Sequence, residues 1–117
     1  MEAEYSALSM AMREVIPFRT LFQSVAQSIG ISHSDQTTFR TVIHEDNRGA
    51  ETLANLPPGQ TTPRSKHYAI RLHWFRSHLD DKTTVVPIST DLQKADILTK
   101  GLKTQKFAEI RQLLCGW

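Results

Sequence analysis

Apolar side chains recur every three or four positions through residues 3–28, at Leu8, Met12, Val15, Phe18, Phe22 and Val25, with Ile29 just beyond. That spacing predicts one amphipathic helical face. Pro17 falls inside the pattern. Proline lacks an N–H and crowds the preceding turn, so a kink or a break into two helices is expected near 13–16. Gly30 closes the segment and the polar run 32–38 reads as a loop. Residues 39–44 then form a short β-branched run without clean alternation, which suits a strand covered on both faces of a parallel sheet. It stops at two adjacent carboxylates, Glu45 and Asp46, in the stretch VIHEDNRGAETLANLPPG.

A helix is expected over 47–56, with Ala50, Leu53 and Ala54 on one side. Asp46 or Asn47 would cap it, and Pro57-Pro58-Gly59 would stop it. The segment 57–64, rich in Pro, Thr and Gln, reads as a loop. Ser65 reads as the cap of a helix to about residue 80, with Tyr68, Leu72, Phe75 and Leu79 facing the core. A second strand, TTVVPI, occupies 83–88, and its Pro87 belongs at a sheet edge or strand end. Two short helices follow at 92–99 and 104–114. The order helix, strand, helix, helix, strand, helix, helix implies an α/β domain with a parallel pair. Two strands make a poor sheet, so the chain is expected either to borrow strands or to have lost some.

Composition changes this picture little. A chain of 117 residues with 39% hydrophobic and 22% charged positions fits one ordinary globular domain. A net charge of +2 permits polyanion binding without requiring it. The single Cys115 can make no internal disulfide, there is no zinc-type cysteine pair, and the start Met-Glu-Ala-Glu is acidic where a signal peptide is basic. No apolar run is long enough to cross a membrane. An intracellular, reducing setting fits these features.

The carboxylates carry the candidate chemistry. Ligands of open α/β sheets gather outside the carboxyl ends of the strands, which is where Asp46 falls. Asp46 would serve either as a helix cap or as a ligand to a hard divalent ion. Glu4, in EAEYSAL, and Asp96, in LQKADILTK, each sit near a predicted helix start, where the helix dipole alone would favour them.

Taken in order, EAEYSAL, VIHEDNRGAETLANLP, RSKHYAIRLHWFRSHL and VVPISTDLQKADILTKGL resemble the RNase H domain at the C-terminal end of copia-type LTR retrotransposon Pol polyproteins. The resemblance extends over nearly the whole chain. It implies a partial RNase H-like α/β fold over residues 1–117, N-terminally truncated, with two parallel strands and their flanking helices retained. It implies hydrolysis of the RNA strand of an RNA/DNA hybrid during reverse transcription, with two Mg²⁺ (or Mn²⁺) ions. Glu4, Asp46 and Asp96 would be the second, third and fourth catalytic and metal-binding carboxylates, with Glu2 the competitor of Glu4. Asn47, Arg64, Lys66, Arg71 and Lys100 would contact nucleic acid. The partners implied are the hybrid, the remainder of the Pol polyprotein with its reverse transcriptase, or the missing N-terminal strands. The setting would be a cytoplasmic virus-like particle or the nucleus.

Two departures qualify the resemblance. The block carrying the family's first carboxylate is missing, so the chain alone is expected to be inactive. Ala69, in KHYAI, stands where the family usually has an acidic residue. The alternative from another class is a non-catalytic nucleic-acid-binding or structural remnant of a retrotransposon polyprotein. Zinc is not expected, because His67, His73 and His78 do not share a helical face. The adjacent letters His33-Ser34-Asp35 cannot form a hydrolase triad within one loop. Arg64, Lys66, Arg71 and Arg76, interleaved with Tyr68 and Trp74, form either a hybrid-binding face or a solvated helix.

Overall fold

The computed structural model describes residues 1–31, 39–68 and 70–117. The predicted loop at 32–38, including His33-Ser34-Asp35, lies outside the described residues, as does Ala69. The chain divides into two compact units, Met1–Pro87 and Ile88–Trp117. In the first, helix α1 (Glu2–Ser28) leads to strand β1 (Thr41–Glu45) and helix α2 (Arg48–Ala54). A short helix α3 (Ile70–His73) runs into a 3₁₀ turn, Trp74–His78, before strand β2 (Thr83–Pro87). In the second, a 3₁₀ turn at Thr90–Leu92 precedes helices α4 (Asp96–Thr99) and α5 (Thr104–Cys115). The protein is thus mixed α/β, and β1 and β2 pair in parallel from Thr41 opposite Thr83 to Glu45 opposite Pro87.

One core holds the first unit together. Tyr5, Leu8 and Met12 of α1 meet Ala50, Leu53 and Ala54 of α2, together with Phe75 and Val85. Their spacings on α1 and α2 are those of a single helical face, so the periodicity of the sequence is realised here. Each large apolar side chain buried in this way contributes about 2 kcal/mol. Two polar contacts fix the helix to its surroundings. The Tyr5 hydroxyl lies 2.9 Å from His73 Nδ1, and Trp74 Nε1 donates to Ser9 Oγ at 3.0 Å.

Four expectations are corrected. First, α1 runs unbroken through Pro17. The N–H that proline lacks would have reached the carbonyl of Arg13, and both residues lie on the exposed side, where water can serve that carbonyl. Second, β1 is not covered on both faces. Val42 and His44 are exposed while Thr41, Ile43 and Glu45 are half-buried, the alternation of a sheet with one face packed.

Third, no long helix spans 65–80. Ser65 is buried and closes a turn: its Oγ accepts from Thr62 N at 2.9 Å and lies 2.8 Å from Thr62 Oγ1. The core-facing side chains Tyr68, Leu72, Phe75 and Leu79 still pack inward. Fourth, only the first half of the α1 face is buried. Phe18, Phe22, Val25 and Ile29 are exposed. A helix of 27 residues is about 40 Å long, whereas a five-residue strand spans about 17 Å. Arg19 Nη1 donates to Thr41 Oγ1 at 2.9 Å and to the Lys82 carbonyl at 3.1 Å, at the start of both strands. The Phe18–Phe22–Val25 side of α1 beyond Arg19 therefore passes the end of the sheet, while Ala26 on the neighbouring side is buried.

Candidate functional site

The junction of β1 and α2 decides between the two roles open to Asp46. Asn47 is the N-cap: its Oδ1 accepts from Ala50 N at 3.0 Å. Glu45 folds back on the same junction, and its Oε1 accepts from Asn47 N at 2.9 Å. The capping work is done by Asn47, with Glu45 as a tether, and Asp46 sits between them just past the strand end. The sequence offered Asp46 or Asn47 as the cap. The tethering role of Glu45 was not read from it, although a carboxylate two residues before a helix-opening N–H is placed to accept from it.

Glu4 comes to this junction from α1. Met1 packs over Gly49 in the first turn of α2, where a Cβ would stand 2.8 Å from Met1 Sδ. The Met1 ammonium pairs with Glu4 at 2.7 Å. Burial pushes the Glu45 carboxyl above the ordinary carboxylate range, the Asn47 N–H opposes this, and the charges of Asp46 and Glu4 raise it further. Three carboxylates of the first unit, Glu4, Glu45 and Asp46, thus share one electrostatic neighbourhood.

Asp96 belongs to the second unit, where it opens α4. It is buried, and Lys100 Nζ pairs with its Oδ1 at 2.9 Å across one helical turn. Lys106 Nζ donates to the Asp91 carbonyl of the preceding turn and lies 3.9 Å from Glu109. Among the described residues no group of three or more His, Cys, Asp or Glu side chains is arranged to hold a metal ion. The carboxylates present do not by themselves fit one.

The predicted basic face separates into different roles. Arg64 and Lys66 are exposed in the turn that precedes α3. Arg71 lies on α3, with its side chain outside the described part. Arg76 is not at the surface. Its Nη1 donates to the carbonyls of Leu53 at 3.2 Å and Gln60 at 2.9 Å, fastening the end of α2 to the loop beyond it. Tyr68 and Trp74 pack against the core instead of presenting open rings.

No helix of the described residues is long and apolar enough to cross a membrane. No protein-family model and no solved structure matches the chain. Over 114 residues, 97% of its length, the chain is 30% identical to the Retrovirus-related Pol polyprotein from transposon TNT 1-94 of Nicotiana tabacum. It spans 8% of that polyprotein. This similarity supports a retrotransposon Pol origin for the chain.

Proposed function

We propose that the chain is part of an RNase H-type endonuclease of a retrotransposon Pol polyprotein, acting on the RNA strand of an RNA/DNA hybrid. The observation that carries this reading is the junction after β1. The strand ends in Glu45 with Asp46 just past it, Asn47 caps α2, and Glu4 approaches from α1. A cluster of like charges is costly unless a cation or a proton offsets it, and the Met1 ammonium offsets it only in part, through Glu4. Glu4, Asp46 and Asp96 are the carboxylates this reading assigns to Mg²⁺ or Mn²⁺. Glu4 and Asp46 of the first unit do not form a metal site unaided, so the reading requires further carboxylates, among them one from elsewhere in the polyprotein. When bound, the metal ions would activate water and stabilise the oxygens of the phosphodiester. Arg64, Lys66 and Lys100 would meet backbone phosphates, which carry most of the affinity for nucleic acid.

A second reading, a nucleic-acid-binding remnant that cuts nothing, is favoured by the Lys100–Asp96 pair, which already neutralises one assigned carboxylate. Cleavage of a labelled RNA/DNA hybrid separates the two. The 117-residue chain alone is expected not to cut with Mg²⁺. The chain fused to the strand segment that carries the first carboxylate in copia-type RNase H domains is expected to cut, and to lose that activity with EDTA or Asp46→Asn. A fusion that binds the hybrid and never cuts would sink the endonuclease reading and leave the second one standing.

A further inference from the structure

We infer that the overhanging half of α1 is a self-association surface, through which two copies of this chain pair helix to helix. Phe18, Leu21, Phe22, Val25 and Ile29 are 59%, 56%, 49%, 50% and 65% exposed. At 100° per residue they share an arc of about 100°, the width of a face that normally meets a core. In this protein that face lies beyond the sheet. Phe18 and Phe22 meet edge to face with centroids 4.8 Å apart, and Phe39 touches Phe22 at 6.5 Å. The patch therefore has aromatic walls.

Area and charge both favour a second copy as the occupant. An aromatic side chain buries about 200 Å² when covered, so each half-exposed Phe leaves about 100 Å² in water. With the three aliphatic residues the patch comes to roughly 500 Å², the upper end of what monomeric proteins expose. Covering it on two copies removes about 1,000 Å² from water, the lower bound of a specific interface. Residues 20–31 carry no charged side chain, so an antiparallel pair about a twofold axis would bring no like charges together there. The flanking hydroxyls are already satisfied. Thr20, Ser24 and Ser28 each donate to the carbonyl four residues earlier, at 3.2, 3.1 and 2.9 Å. These small side chains beside Leu21 also let a second helix approach closely. A partner rich in charge would find nothing to pair with on this face.

This inference is independent of the nuclease reading, because its test reads mass and not cleavage. The 117-residue chain is followed by sedimentation equilibrium over a range of concentrations, beside Phe22→Glu and Val25→Glu. Both positions are exposed, and circular dichroism confirms that each variant keeps its helix. A reversible dimer is expected, with the dissociation constant raised roughly tenfold or more by either substitution. A chain that stays monomeric at all concentrations overturns the inference. So does an oligomer that persists in both variants but is abolished by Val42→Lys, which would assign the association to the open face of β1.

Discussion

The division of labour at the β1–α2 junction makes a sharp prediction: Asn47→Ala destabilises the first unit more than Asp46→Asn does. The Asn47 Oδ1 to Ala50 N bond is 3.0 Å long and satisfies one of the four N–H groups that α2 cannot satisfy internally. Removing a side chain in this position costs about 1 kcal/mol, with a range of about 0.5–2. The upper half of that range is expected here. α2 has only seven residues, and Ala50, Leu53 and Ala54 are all in the core, so its first turn cannot fray without loosening the packing below. For a chain of this size 1 kcal/mol lowers Tm by about 4 °C. Trp74 lies against the core of the first unit, and its fluorescence in a Trp117→Phe background reports urea unfolding of that unit. Asp46→Asn leaves the Asn47 cap in place and is expected to cost less than Asn47→Ala. Equal losses for the two substitutions would mean that Asp46 shares the capping with Asn47.

Other consequences follow from the same contacts. Leu53→Ala empties a fully buried position between α1 and the sheet and should cost about 2–5 kcal/mol in the same urea titration. Arg76→Ala breaks two hydrogen bonds from a buried guanidinium and leaves two carbonyls without that donor, an expected loss of about 2–4 kcal/mol. If Arg76→Ala were neutral, the link between α2 and the loop at Gln60 would be incidental. Burial, assisted by the charge of Arg76, holds the His73 imidazole below its ordinary value of 6.5. The unfolded chain then binds the extra proton first, so His73 contributes stability above pH 6.5 that is lost as pH falls below it. The stability difference between the parent and His73→Gln should therefore shrink from pH 7 to pH 5. A constant difference would refute the shift.

The sequence determined the elements whose partners are local or whose chemistry is self-contained. The 3.6-residue period of α1 and the α2 face of Ala50, Leu53 and Ala54 were legible because side-chain spacing dictates them directly, the parallel pair from the order of the elements, and the strand-ending Pro87 from the N–H that proline lacks. The candidate carboxylates could be named for the same reason: a strand that stops in Glu45-Asp46 shows its charge in the letters. What the tertiary structure decided depends on length and direction in space. Pro17 is tolerated because the hydrogen bond it forfeits faces water, which no local rule about proline can foresee. The face from Phe18 to Ile29 is identical in pattern to the face from Leu8 to Val15, yet only the latter is buried. A helix of about 40 Å outlasts a strand of about 17 Å, and only the Arg19–Thr41 contact shows which end is left over. Arg76 read as a surface cation because charge is usually solvated, and its burial follows from two carbonyls brought together by distant turns. Asn47 rather than Asp46 became the cap because Glu45 holds the Asn47 N–H and thereby sets where the helix begins.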